Sequence, residues 1–147
     1  KEEEDEKFLT PMIKVHDEAA LVLAGCHSLV FIEGETTGDP LEDAALRSMR
    51  WHLSHETGRA IPLPDTEKRK GGQPISLQSG AKISDVEVLT RHHFSSKLQR
   101  MSCVVKSVVS GKHFALLKGS PEAVGNLLSS KPAGYDEKAE YLSKEGY

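Results

Sequence analysis

The sequence predicts an α+β fold, an antiparallel β-sheet flanked by helices. Two observations carry this. Between residues 86 and 116, apolar side chains recur with a period of two in three stretches joined by short links, which makes an antiparallel meander, since parallel neighbours need long crossovers. On either side lie segments with helix-start signals and apolar residues at helical spacing.

Taken in order, Lys1 to Lys7 holds five acids and two lysines, too little apolar content to repay ordering, so residues 1–16 read as an acidic tail or linker stub. A single domain is expected over 17–147. Asp17 is an N-cap candidate for an apolar helix through Ala19, Leu21 and Ala24, ended by Gly25. The next helix start is well written: Asp39 can cap, Pro40 suits the first helical position and Glu42 can complete a capping box. Leu41, Ala45, Met49 and Leu53 then recur at spacing four, predicting an amphipathic helix.

Residues 57–80, with Pro62, Pro64, Pro74, four glycines and the basic run Lys68, Arg69, Lys70, read as a long exposed and flexible insertion. The strands follow. Val86, Val88, Thr90, His92 and Phe94 form one alternating set, Met101, Cys103 and Val105 a second, and Phe114 and Leu116 a third beyond the turn at Ser110 to Lys112. Ser120, Pro121 and Glu122 repeat the cap, proline and acid logic, with a helix through Val124, Leu127 and Leu128 barred at Pro132. A last helix runs from about Asp136 through Ala139 and Leu142 to a stop at Gly146.

Composition excludes several functions. The chain has 147 residues, with 19 Lys plus Arg against 22 Asp plus Glu, and a net charge of −3 provides no positive field for sequence-independent nucleic-acid binding. The longest mainly apolar stretch, Ala19 to Gly25, is far short of the roughly 20 residues that cross a bilayer. Cys26 and Cys103 have no CxxC spacing, which supports neither a disulfide framework nor a zinc site and fits a reducing compartment. His52 and His55 lack a third ligand at metal spacing, and His92 and His93 point to opposite faces of a strand, so no metal site is expected. Neither a G-x-S-x-G elbow nor a P-loop is present. The chain alone is not expected to catalyse a reaction, and it reads as a monomeric piece of a longer protein.

Three strings remain: Gly38 to Glu42 (GDPLE), Phe94 to Met101 (FSSKLQRM) and Lys118 to Glu122 (KGSPE). Singly, the first and third are helix starts and the second is a strand, turn and strand. Together they place an aromatic face, a carboxylate, an ammonium and a glycine at the edges of elements, which are the parts of an adenine site. In this order they resemble the nucleotide-binding domain of P-type ATPases, whose G-[DE]-x-x-E, F-x-S-x-x-[KR]-[KR]-M and K-G-[AS]-P-E strings line one ATP pocket. The resemblance covers the chain from about Leu21 to Tyr147. Cys26, His27, Ser28 and Leu29 ahead of the first string, then Ala45, Leu46 and Trp51, resemble the type-five subgroup, particularly its endoplasmic-reticulum branch.

The resemblance implies an ATP site in which Phe94 stacks on adenine, Glu42 accepts from its exocyclic amine, Lys118 meets the nucleotide deep in the pocket, Gly119 lets backbone approach and Ser96 positions the phosphates. Asp39 matches the acidic position of its string and reads equally as a cap. Where many family members carry a lysine for the phosphates, this sequence has Gln99; a neutral amide cannot replace a cation, so phosphate contact should weaken or pass to Arg100, whose fork can bind two oxygens.

The family's D-K-T-G-T and T-G-E strings, which belong to its phosphorylation and actuator domains, do not occur in this sequence. The implied role is therefore to bind ATP and present it to an aspartate elsewhere in the same chain, on the cytosolic face of a membrane, that of the endoplasmic reticulum, with Mg²⁺ held by the phosphorylation domain. Those phosphorylation, actuator and membrane domains would be its partners. The family continues past the position of Tyr147 into another strand, so the domain is expected to be C-terminally incomplete. The alternative is a degenerate nucleotide domain serving as a regulatory or docking module.

Overall fold

The computed structural model describes residues 15–146; the expected acidic run Lys1 to Lys7 lies outside the described residues. Among the described residues four helices and nine strands follow one another: α1 (Asp17–Gly25), β1 (Val30–Ile32), β2 (Glu35–Thr37), α2 (Pro40–Ser48), β3 (Trp51–Leu53), β4 (Ala60–Pro62), β5 (Ile75–Ser76), β6 (Lys82–Ile83), β7 (Glu87–Ser95), β8 (Arg100–Lys106), β9 (His113–Gly119), α3 (Pro121–Gly125) and α4 (Tyr135–Glu145). β7, β8 and β9 form the antiparallel meander, and β1–β2, β3–β4 and β5–β6 are two-stranded antiparallel pairs. Small antiparallel sheets flanked by helices make this the α+β class that the periodicities predict. Among the described residues, no helix is long and apolar enough to cross a membrane.

The core lies between the meander and α1. Met101, Cys103 and Val105 alternate onto the buried face of β8, and Ala20, Leu21 and Ala24 of α1 pack over them together with Leu46, Met49 and Trp51. Contact is close enough that a Cβ on Gly25 would stand 2.6 Å from Leu116 Cδ1. Asp17 does not cap α1; it is the first helical residue, His16 is the N-cap, and the Asp17 carboxylate instead accepts the Ser76 N–H, tying β5 to the start of the helix.

Four expectations are corrected. α2 stops at Ser48 rather than running to Leu53, because Arg50 takes a left-handed conformation (φ 60°) and Trp51 and Leu53 then bury on alternate positions of a strand. Leu41, expected inward, is 79% exposed in the first turn. On β7 the even-numbered set does not share a face, because register shifts between Val88 and Thr90 and between His92 and Ser95 each insert a residue, turning Val88 and Arg91 toward the core and Thr90 and His92 away. The helix from Pro121 also ends at Gly125, before Leu127 and Leu128.

Residues 57–80 contain two short strands and a loop fixed at both ends. Ala60 and Val86 exchange both backbone hydrogen bonds at 2.9 Å, and Trp51, 2% exposed, donates its indole N–H to the Gln73 carbonyl at 3.0 Å. The loop folds back on Arg50: Leu63 donates to the Arg50 carbonyl and Gly72 to that of Leu63, each at 2.8 Å, so a Cβ on Gly72 would lie 2.1 Å from the Arg50 oxygen.

That contact gives a test with a definite sign. In a flexible segment Gly72→Ala would stabilise by roughly 0.4–1 kcal/mol through the unfolded chain; packed against backbone it is expected to destabilise by about 1–3 kcal/mol. Urea unfolding of the variant distinguishes the two.

Candidate functional site

The site is organised around the first turn of α2. Asp39 has the extended conformation of a cap and its carboxylate accepts the Leu41 N–H at 2.8 Å, with Pro40 next, so the helix start reads in three dimensions as it does in the sequence. Glu42, at the third position, does not close a capping box. Its carboxylate turns across to residue 28, accepting the Ser28 N–H on Oε2 at 2.8 Å and the Lys118 ammonium on Oε1. The Glu42 side chain is 9% and that of Lys118 35% exposed, so the pair is partly shielded from solvent.

Segment 26–29 is held by four further sets of contacts. Arg91, turned inward by the first β7 bulge, donates from Nε to the His27 carbonyl at 3.0 Å and from Nη2 to that of Leu29 at 3.2 Å. The buried His27 ring bonds the Ala24 carbonyl through Nε2 and accepts the Leu29 N–H on Nδ1, which assigns the proton to Nε2. The Cys26 thiol lies 3.8 and 3.9 Å from the Met101 and Leu116 carbonyls, and burial pushes its pKa up to about 12, keeping it protonated. Gly38 (φ 148°) packs against the same segment, where a Cβ would meet Leu29 Cδ2 at 2.9 Å.

The register brings the second and third strings together. Lys118 pairs with Met101, and the second β7 bulge sets His93 and Phe94 against that same residue, between the pairs His92–Ser102 and Ser95–Arg100. Phe94 and Lys118 therefore share a face two strand spacings apart, roughly 9.5 Å. Phe94 is 61% exposed, so its ring is open to solvent. Gly119 is required by close packing: a Cβ there would lie 2.5 Å from the Gln99 carbonyl, which also accepts the Ser120 N–H at 2.9 Å.

The remaining residues sit apart from this face. Arg100 alternates with Met101 and so projects to the opposite side of β8 from Lys118. Gln99 occupies the β7–β8 turn at φ 49°, and its amide oxygen accepts from the Ser120 hydroxyl at 3.3 Å at the start of α3. Ser96 is exposed in the same turn. His27 and Arg91 are the site residues that the sequence argument did not select. An arginine inside an alternating strand was the available signal, but only the bulge turns it inward.

No family model matches the chain. Individual relatives do. It is 33% identical over 96% of its length to a "probable manganese-transporting ATPase" of Arabidopsis thaliana, 30% over 98% to a polyamine-transporting ATPase of Macaca fascicularis, and 30% over 88% to an endoplasmic reticulum transmembrane helix translocase of Aspergillus fumigatus. The chain spans between 10 and 14% of the length of these curated relatives.

Burial, and after it the Arg91 guanidinium, lowers the His27 pKa to about 4 from 6.5. The folded state keeps the ring neutral while the unfolded chain takes up a proton below pH 6.5. Its contribution is therefore complete above that pH and is lost as the pH falls toward 4, at about 1.4 kcal/mol per unit. Between pH 7 and 4.5 the protein is expected to lose about 2 kcal/mol more stability than its His27→Gln variant, with no His27 ring titration above pH 5 by NMR. Parallel losses, or a ring midpoint near 6.5, would contradict the assignment.

Proposed function

Because the chain belongs to the P-type ATPases along the segment it spans, we propose that it is the ATP-binding domain of such a pump, binding adenine and presenting the γ-phosphate to an aspartate in a separate phosphorylation domain. The observation that carries this reading is the exposed Phe94 ring on the face that holds the Glu42–Lys118 pair. An aromatic face offers roughly 1–3 kcal/mol of base stacking. A carboxylate has about four lone-pair positions, and two on Glu42 are engaged, leaving room for the adenine amine; the keto edge of guanine offers no such donor. The Lys118 ammonium meets the nucleotide from its tether on Glu42. Gln99 and Ser96 stand on the turn beside Phe94, where the phosphates would pass, and Arg100 would have to reach them around the strand edge.

Stacking and one or two hydrogen bonds of about 1 kcal/mol net barely exceed the association cost, so affinity on the order of millimolar is expected. A domain that must release ADP and reload is suited by weak binding. In the whole pump, Mg²⁺ would be held by the phosphorylation domain, and the actuator and membrane domains would convert phosphorylation into movement. The three relatives are named for manganese, polyamine and transmembrane-helix cargo, yet this segment is about equally similar to each. Its role is thus the part of the cycle they share, and the cargo is chosen elsewhere. A place on the cytosolic face of the endoplasmic reticulum membrane follows the naming of the Aspergillus relative.

A second reading, a degenerate nucleotide domain serving as a regulatory or docking module, rests on Gln99, whose amide is engaged with Ser120 where the resemblance expects a cation. One set of variants separates the two. Phe94→Ala is expected to weaken ATP and adenosine alike by at least about tenfold, and Gln99→Lys to strengthen ATP more than adenosine, both read by NMR titration. Wild-type affinity in Phe94→Ala would overturn the adenine site; an unchanged ATP-to-adenosine ratio in Gln99→Lys would overturn the path of the phosphates.

A further inference from the structure

The polar segment 63–70 together with the end of α2 builds a concavity of about 280 Å³, lined by Arg47, Arg50, Leu63, Pro64, Thr66, Arg69 and Lys70. Four of the seven lining residues are cationic. Arg47 is paired with Asp43 at 2.8 Å. The side chains of Arg50, Arg69 and Lys70 have no hydrogen-bond or ion-pair partner among the described residues.

The loop that carries them is built rather than loose. Thr66 and Arg69 exchange backbone hydrogen bonds at 2.9 and 3.2 Å, and the Thr66 hydroxyl bonds the Arg69 carbonyl at 3.2 Å. Gly71 donates to the Asp65 carboxylate, which holds the loop closed, and Glu67 is exposed on the same turn. One cation at the last turn of α2 is what the helix carbonyls favour. Three further cations around the same hollow exceed that need, and bringing them together costs like-charge repulsion in a chain whose net charge is −3.

We propose that this hollow is an anion site for a compact polyphosphate, a ligand with several phosphate groups clustered on one small body. Arginine forks bind two oxygens of a phosphate at once, and lysine adds a point charge. The cations surround one concavity instead of forming a stripe, which suits a clustered polyanion and not an extended nucleic-acid backbone. Such a ligand exists free or as the headgroup of an anionic lipid, and the chemistry recognised is the same. The site shares no residue with the Phe94 face and does not depend on ATP binding there.

The test is an amide NMR titration of the 147-residue chain with inositol hexakisphosphate and with pyrophosphate, alongside vesicle sedimentation with phosphatidylcholine alone or containing a phosphoinositide bisphosphate. Inositol hexakisphosphate is expected to shift residues 47–50 and 63–72, with pyrophosphate weaker, and Arg69→Glu/Lys70→Glu to bind at least tenfold more weakly while its other amide shifts stay in place. Arg50→Gly, which suits the left-handed conformation, is expected to weaken binding without disturbing the loop. Sedimentation only with phosphoinositide vesicles would support the site with a lipid source, and soluble binding without sedimentation would support it with a free ligand. Shifts spread equally over Lys97, Lys112 and Lys138, or wild-type affinity in the double variant, would overturn it.

Discussion

The carboxylate of Glu42 is the constraint on which the rest of the site depends. It leaves the first turn of α2 to accept the Ser28 N–H on one side and the Lys118 ammonium on the other, joining three parts of the chain that are distant in sequence. A carboxylate shielded from water is costly unless its oxygens are satisfied, and here a backbone donor and a cation satisfy them. The helix cap, the 26–29 segment and the last strand of the meander therefore have a single common arrangement. Arg91 and His27 fix the same segment from the other side, so the position of Lys118 is set by a network and not by one bond.

Under the proposed reading this arrangement puts the adenine face at one end of the meander, where β9 ends at Gly119. The network satisfies the polar groups around Glu42, and the second β7 bulge sets Phe94 on the Lys118 face. Under the proposed reading Lys118 arrives already oriented, which would reduce the ordering cost of binding. At the far end of the sheet a different acid acts on structure alone. Buried Asp85 accepts from the Ser107 hydroxyl and the Val108 and Val109 N–H groups, closing the β8–β9 turn. The two acids illustrate one rule, that a buried carboxylate organises whichever loop supplies its donors.

What the sequence made legible is what local physics writes. Asp39 with Pro40 and Ser120 with Pro121 mark helix starts because cap and proline geometry are properties of adjacent residues, and β8 is visible because seven residues suffice to show a period of two. The pairs β1–β2 and β5–β6 were not legible: both are local hairpins, but strands of two or three residues are too short to carry a period. The spacing of Leu41, Ala45, Met49 and Leu53 misled because nothing in the letters marks Arg50 as left-handed. For the candidate site, the three strings name Glu42, Phe94 and Lys118, which an ion pair and the strand register bring to one face. The partners that hold Glu42 and its loop, Ser28, His27 and Arg91, depend on register and on two bulges that no local pattern announces.

The central claim is that adenine binds the face organised by Glu42, and the amide of Ser28 reports directly on that carboxylate. A backbone amide NMR titration with ATP and, separately, GTP to several millimolar without Mg²⁺ tests it. The account predicts that the Ser28, Phe94 and Lys118 amides move together with ATP and much less with GTP. A Ser28 amide that stays in place, or equal shifts with the two nucleotides, would contradict it.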